Sequence, residues 1–535
     1  MHPCLRVPEL VANIISFITE EYGGTLASLA AASKVFHNHA LDALWKSQPS
    51  LFRLLLNLPA DAYKSHVEQG FHTLSLARDL RPEDYERVHY YSPRIKTLEM
   101  SNEPRIDPVA IAILWAQQKD VGILVPNLRH LQIDLFRFTG QATYARLLCG
   151  PSLRTVEIHL PLTASGADHP WDDMEAVLSP LARRLEAFTF ETFDTQWNMV
   201  VHCGTPSSVM ALFGAFHDIQ TLDARAFEIT HSVLSELAHL SSVKRLNISI
   251  TSSELLKFNS ILPQPDDFSA LVELGIETGD LSACSELLQR PGFSQLQSLT
   301  VTQCARTGIW DLGPFFQIIH QHQSHTELAA LSIVQYNPYW NPPRDECKIT
   351  VGTLRPLFAF SKLGVLKITV DISVEIDDAG LVEIAAAWRN LRMFRLFEQT
   401  LHTIPQVTLV GFLHFMTFCT VLEDVTLRID ALHPPTFAAN GAITPSSSLR
   451  RFNVCTSPVY DEWEEIAAII AVAFPSLEAL LYGWFYQVPG GGLESVELSM
   501  GEMWYFERWK ECARLLGPIV SSHRGEDYDD TLDET

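Results

Sequence analysis

The chain has little of what marks a secreted protein, a membrane protein or a nucleic-acid binder. Its nine cysteines include no Cys-x-x-Cys pair, and an odd number leaves no closed disulfide set. That usage suits a reducing compartment, with each thiol acting as a small buried hydrophobe. The opening Met1-His2-Pro3-Cys4 lacks the basic and apolar regions of a secretory signal, and no apolar run reaches bilayer length. Cytoplasmic and/or nuclear residence is the expectation. Positive charge is scarce: 39 Lys and Arg stand against 63 Asp and Glu, a formal net charge of -24. Repulsion therefore argues against nucleic acid or an anionic membrane as partner.

Marks of catalysis are also missing. Pro489-Gly490-Gly491-Gly492 is not followed by the Lys-Ser/Thr of a phosphate loop, so it reads as a turn. His320, His322 and His325 have no carboxylate or cysteine at ligand spacing, and solvent and the end of a helix account for them. No nucleophile-elbow or zinc-protease pattern occurs. We expect no catalytic residue, no metal and no cofactor, hence a binding protein rather than an enzyme.

What is present is repetition. An apolar residue, two of any kind, a second apolar residue, one more, and a third apolar residue recur as Phe71/Leu74/Leu76, Ile95/Leu98/Met100, Leu128/Leu131/Ile133, Leu153/Val156/Ile158, Leu185/Phe188/Phe190, Ile219/Leu222/Ala224, Val243/Leu246/Ile248 and Leu271/Leu274/Ile276. The series continues with Leu296/Leu299/Val301, Leu328/Leu331/Ile333, Leu363/Leu366/Ile368, Leu391/Phe394/Leu396, Leu422/Val425/Leu427, Leu449/Phe452/Val454, Leu477/Leu480/Tyr482 and Leu493/Val496/Leu498. The second and third members are two apart, so in a strand they share the core side while the residue between them faces out. Helical patterns follow several strands, at Asp107 to Gln118, Thr230 to Leu240, Leu281 to Gln289, Asp377 to Arg389 and Asp461 to Phe474, some opened by a capping Asp or Thr. No unit of this kind buries its apolar face alone, so the units must stack, strands on one side and helices on the other.

With most copies starting roughly 24 to 35 residues apart, the pattern resembles leucine-rich repeat proteins of the helix-containing kind. The resemblance implies a horseshoe solenoid. It departs from the family where Asn or Cys usually stands three residues past the third apolar position. Only Cys304 does so here; Phe136, Phe193, Gly279, Tyr336 and Asp371 hold that slot elsewhere. A regular polar ladder is therefore not expected.

Before the repeats, Val7-Pro8-Glu9-Leu10-Val11-Ala12-Asn13-Ile14-Ile15-Ser16-Phe17-Ile18 reads as an amphipathic helix with Pro8 in its first turn, which Gly23-Gly24 should end. Thr25 is placed to cap a second helix through Leu26, Leu29 and Ala30, and a third runs from Lys34 to Trp45. A Pro-Glu-Leu start, paired isoleucines, Leu-x-x-Leu, Ser33-Lys34-Val35-Phe36 and a final Leu44-Trp45 resemble the F-box. Leu80-Arg81-Pro82-Glu83-Asp84-Tyr85 and Tyr90-Tyr91-Ser92-Pro93-Arg94 resemble the segment that often follows it in fungal F-box proteins. Val7 replaces the usual Leu before the proline. The resemblance implies docking on the Skp adaptor of an SCF-type cullin-RING ubiquitin ligase through Pro8, Glu9, Leu10, Ile14, Ile15, Leu26 and Leu29. The repeats would then hold a protein substrate of unknown identity.

The expected fold class is α/β, a three-helix F-box followed by a helix-containing leucine-rich repeat solenoid. Its divisions are 1–48 for the F-box-like domain, 49–70 for a helical connector, 71–500 for the repeats, 501–523 for a capping helix through Trp504, Trp509 and Leu515, and 524–535 for an acidic tail. Outward strand positions suggest a substrate surface with a charge gradient. Acids come first, at Asp134, Glu157, Glu191, Asp223, Glu273 and Glu277, and bases later, at Lys367, Arg395, Arg428 and Arg451. Tyr336, Tyr339 and Trp340, in the longest aromatic insertion, are candidate apolar anchors. The alternatives are helices that only cap a repeat scaffold or inhibitor with no ligase link, and a small-ligand sensor.

Overall fold

A computed structural model describes residues 7–18, 23–68, 71–100, 105–134, 141–161, 171–193, 203–204, 207–264, 266–303, 311–335, 348–370, 373–398, 405–432, 445–459, 461–482 and 500–516. It is a mixed α/β chain of two compact units, residues 1–193 with 203–226, and residues 194–202 with 227–535.

In the first unit, Ser47–Gln48, Thr97–Met100, His130–Asp134, Thr155–Pro161, Ala187–Phe193 and Thr221–Glu228 pair in chain order, all parallel. The second unit repeats the arrangement through Arg245–Ser249, Glu273–Thr278, Ser298–Gln303, Ala330–Gln335, Val365–Val370, Met393–Glu398, Asp424–Leu427, Arg451–Asn453 and Ala479–Leu481. Parallel neighbours need a crossover, and helices supply it. From Ile95 to Tyr482 every member of the apolar phrase is buried except Met100. The last copy, Leu493/Val496/Leu498, lies outside the described residues.

The registers match position for position: Leu274, Leu299, Leu331, Leu366 and Phe394 follow one another across the second unit, as do Ile276, Val301, Ile333, Ile368 and Leu396. The backbone adds its own link. At many strand entrances one carbonyl accepts two successive N–H groups of the next strand: Lys96 O from Arg129 and His130 at 2.8 and 3.0 Å, Lys244 O from Val272 and Glu273 at 2.9 and 3.0 Å, Gly364 O from Arg392 and Met393 at 2.8 and 3.0 Å.

The expected helices form as Pro108–Val121, His231–Ala238, Leu281–Leu288, Asp378–Ala387 and Trp463–Ala473. Asp107, Asp280 and Asp377 cap three of them by accepting from the backbone of Val109, Ser282 and Gly380. Thr230 does not cap in this way; its hydroxyl lies 2.9 Å from that of Ser232. Asp461 instead pairs with Arg508 at 2.7 Å.

Three expectations need correction. The phrase at Phe71/Leu74/Leu76 is not a ladder strand. Phe71–Leu76 pairs antiparallel with Tyr63–Glu68 and parallel with Arg105–Ile106 in a separate sheet. Two residues separate Glu68 from Phe71, enough for a hairpin and too few for a parallel crossover. For the same reason the connector is only partly helical, at Phe52–Leu55. Finally, a polar row exists where none was expected. Thr278, Gln303 and Gln335, successive register partners at the strand ends, are all buried. They stand two residues past the third apolar position rather than three. The final helix, Met500–Leu515, buries Trp509, whose indole N–H donates to Ser457 O at 2.9 Å. The acidic tail lies outside the described residues.

Irregular stretches are secured by local locks. In the second unit, Arg290 and Asp267 are both buried and meet at 3.2 Å, and Arg290 also donates to Phe258 O and Ile261 O. The Arg290 guanidinium lies over the Phe258 ring at 4.2 Å. Gly292 passes so close that a Cβ there would fall 2.1 Å from Asp267 O. Arg290→Ala leaves the buried Asp267 carboxylate with only the Gln264 N–H at 2.9 Å and the exposed His239 imidazole at 3.3 Å, and should cost roughly 2–4 kcal/mol, read as a lower denaturant midpoint for the cooperative loss of the second unit.

Candidate functional site

The N-terminal module consists of helices α1 (Pro8–Ser16), α2 (Gly23–Ala32) and α3 (Lys34–Lys46). Pro8 occupies the first turn of α1, where no N–H is needed, and Ser33 caps α3 by accepting from Val35 N at 3.3 Å. Gly23 and Gly24 open α2 instead of closing α1, which ends at Ser16. Val11, Ile15, Leu26, Ala30, Ala40 and Leu41 form the core, with Leu29, Phe36, Leu44, Trp45 and Tyr91 packed against it.

The chain leaves α3 directly into Ser47–Gln48, which pairs with Thr97 and Leu98 as the first ladder strand. The segment Tyr90 to Arg94 clasps the same helix. Tyr91 stacks on Trp45 at 4.7 Å, the Tyr90 hydroxyl lies 3.3 Å from His37 Nε2, and Arg94 forms an ion pair with Asp42 and donates to Asn38 O. The preceding segment has its own clamp. Asp84 accepts from both Nη atoms of Arg78, at 2.6 and 3.0 Å, and from Arg81 N at 2.8 Å. Tyr85 is buried and donates to Gln117 Oε1 at 2.7 Å.

The structure sorts the adaptor candidates. Pro8, Glu9, Leu10 and Ile14 are exposed, Leu29 is half-buried, and Ile15 and Leu26 are buried in the module core. As described, those last two are packing residues and not surface. Two neighbours absent from the sequence-based set complete the outer face. Val7, Leu10, Ile14 and Phe17 are 42%, 43%, 48% and 79% exposed. Leu10 and Ile14, four residues apart, share one side of α1, and Val7 and Phe17 stand at its N- and C-caps.

On the ladder the expected charge gradient is largely paired locally. Glu157 accepts from His159 across 2.6 Å, and the imidazole, with His130 nearby, holds the Glu157 carboxyl below its usual range. Asp223 is buried and pairs with Arg225 at 2.7 Å, Glu273 pairs with Arg245 at 3.1 Å, and Glu277 is buried. Asp134 and Glu191 sit on their strands opposite His159, with nothing described of their side chains. Among the bases, Arg395 and Arg428 are buried while Lys367 and Arg451 are partly exposed. Arg395 grips Asp424 with two hydrogen bonds, at 3.1 and 3.0 Å, and Arg451 reaches the same carboxylate at 2.8 Å. Asp424, buried and not singled out from sequence, is the organiser of this cluster. Tyr336, Tyr339 and Trp340 lie outside the described residues.

Other chemistry is sparse among the described residues. No group of three or more His, Cys, Asp or Glu side chains is placed to hold a metal ion. No helix is long and apolar enough to cross a membrane. Burial pushes the Cys284, Cys419 and Cys512 thiols up to about 12, far from the range of a reactive thiolate. His325 Nε2 meets His320 O at 2.7 Å and its ring stacks on His320 at 4.7 Å.

No protein-family model and no curated protein matches the chain. Among solved structures it is similar to the crystal structure of the yeast Rad7 and Elc1 complex, at 13% identity over 59% of this chain and 81% of that one, with a TM-score of 0.30. It is also similar to the TLR13–ssRNA13 complex, at 13% identity over 70% of this chain and 59% of that one, with a TM-score of 0.26. Likenesses this distant carry no functional argument, so the reading below rests on the residues.

The Asp84 clamp gives a pH test for the first unit. Its carboxyl is held down from the ordinary 3.8 to about 2 by Arg78 and by the Arg81 N–H. A depressed carboxyl contributes stability that is complete above the unfolded pKa and fades as pH falls through the folded one. Between pH 3.8 and about 2, Asp84→Asn should flatten the pH dependence of unfolding; an unchanged slope would show that the clamp does not form.

Proposed function

We propose that the chain is the substrate-recognition subunit of an SCF-type cullin-RING ubiquitin ligase. In this reading the three N-terminal helices act as an F-box that docks the Skp adaptor, and a leucine-rich repeat solenoid holds a protein substrate. The observation that carries the reading is the outer face of α1. Val11 and Ile15 fill the module core, while Leu10 and Ile14 of the same helix, with Val7 and Phe17 at its two caps, leave an apolar stripe in solvent. Four large apolar side chains on one short helix and its caps are expensive to expose and suit insertion in a partner's groove. Pro8, Glu9 and Leu10 carry the sequence resemblance and lie at the exposed start of that stripe.

The capping alternative accounts for a different face. Ser47–Gln48 closes the first strand entrance, and Tyr91, Arg94 and Tyr90 bind α3. Those contacts use α3 and its exit and leave the α1 stripe unexplained. A module anchored through α3 and open along α1 serves both purposes. In such a receptor the chemistry belongs to other subunits, and the contribution here is effective concentration: a substrate held on the ladder stays near the transferred ubiquitin. A repeat scaffold without a ligase link is the remaining reading.

Binding of the full chain to the purified Skp adaptor tests the proposal. Ile14→Asp with Phe17→Asp alters only exposed positions and should weaken binding by about a hundredfold or more, with melting unchanged. Ile15→Asp places a charge in the module core and should unfold it, losing binding for a different reason. A folded wild-type chain that does not bind the adaptor sinks the ligase reading.

A further inference from the structure

The strongest unassigned feature is the outer edge of the small sheet in the first unit. Tyr63–Glu68 pairs with Phe71–Leu76, which pairs in turn with Arg105–Ile106, so among the described residues Tyr63–Glu68 has a strand on one side only. It runs for six residues with neither proline nor glycine, and its register shows no bulge. Ser65, His66 and Val67 are exposed, Val67 to 62%. Of the devices that blunt a sheet edge it has charge alone, and the charge is of both signs, at Lys64 and Glu68.

Backbone alternation fixes which groups point to the open side. The Ala77 N–H donates to Ala62 O at 2.9 Å, so the pair just before the strand is a hydrogen-bonded one. Antiparallel pairs alternate between bonded and non-bonded. Lys64, His66 and Glu68 therefore exchange bonds with Ser75, Thr73 and Phe71, and the N–H and C=O groups of Tyr63, Ser65 and Val67 point away from the sheet.

We propose that two copies of the chain pair along this edge, Tyr63–Glu68 against Tyr63–Glu68, antiparallel about a two-fold axis. Outward-pointing groups must meet outward-pointing groups, which restricts the pairing to registers centred on a single residue. Centred on Lys64, that lysine meets its own copy. Centred on Ser65, Lys64 stands opposite His66 and Glu68 opposite Ala62; centred on Val67, Lys64 falls beyond the end of the facing strand. Centred on His66, Lys64 of each copy stands opposite Glu68 of the other, a match that symmetry makes twice. Both matches fall at non-bonded pairs, where facing Cα atoms are only about 4.5 Å apart. Ser65 of each copy then exchanges bonds with the other copy's Val67, about four backbone hydrogen bonds at two per bonded pair. Two opposite charges placed symmetrically about the strand's centre favour this strand's own copy over an unrelated extended peptide. An interface this short makes a weak dimer. The inference is independent of the ligase reading.

Sedimentation velocity on the full chain, from roughly 1 to 100 μM, tests the pairing. The wild type should show a dimer that grows with concentration. Lys64→Glu and Glu68→Lys each set like charges opposite one another twice and should weaken self-association by about tenfold or more. An equimolar mixture of the two variants restores opposite charges at both matches and should dimerise, as should the chain carrying both substitutions. Ser65→Pro removes an outward N–H without touching a bond to Phe71–Leu76, so it should melt like the wild type and stay monomeric. Ile14→Asp with Phe17→Asp should leave the dimer intact, which separates this edge from the α1 stripe. A wild type that is monomeric throughout the range, a Ser65→Pro dimer as strong as the wild type's, a mixture of charge variants no more associated than either alone, or a dimer lost with the α1 variant would each overturn the assignment.

Discussion

The structure depends on the fact that no repeat can satisfy itself. Each strand carries an apolar pair that needs a neighbour on the core side and a backbone edge that needs a neighbour alongside. The doubled acceptors at Lys96, Lys244 and Gly364 show the second demand being met, one carbonyl at each of these strand entrances taking two N–H groups of the next. The stacked residues Leu299, Leu331, Leu366 and Phe394 show the first. Because both operate between neighbours, a connection of variable length is tolerated wherever the next strand can still reach its place.

Variation then needs local security, and different chemistry supplies it at different points. Arg290 and Asp267 hold one irregular stretch through a buried ion pair with backbone acceptors. Thr408 accepts no such charge; its N–H and hydroxyl donate to Asp378 at 2.7 Å each, tying the start of one helix to its predecessor. At the C-terminal end, Trp509 reaches Ser457 O and the Ser457 hydroxyl receives the N–H of Ile429 at 2.8 Å. At the N-terminal end the closing element is α3, which becomes the first ladder strand. There the architecture and the proposed function meet, since anchoring the module through α3 is what leaves α1 facing water.

Much of this was legible in the residues. The apolar phrase placed nearly every ladder strand, because a two-residue side-chain period and a buried face constrain each other tightly. Capping aspartates at 107, 280 and 377 marked helix starts, because a short carboxylate can reach the free N–H groups of a first turn. Phe71/Leu74/Leu76 misled, because the phrase describes which side of a strand is apolar and says nothing of its partner. Thr278, Gln303 and Gln335 were missed because burial of a polar side chain at a strand end depends on the strands beside it. On the site, the apolar face of α1 could be read from its spacing, but the assignment of Ile14 outward and Ile15 inward required α2 and α3.

The sequence by itself determined the class of this protein: a repeating, acidic α/β chain preceded by a short amphipathic helical module. Those properties follow from composition and period, which act over a few residues at a time. Tertiary structure decided which charges stand together and which cancel. Asp424 meets Arg395 and Arg451 from two flanking strands, with 29 residues separating it from the first in the chain. Coulomb interactions and burial depend on distance in space, and a distance of that kind exists only once the ladder has brought the strands side by side.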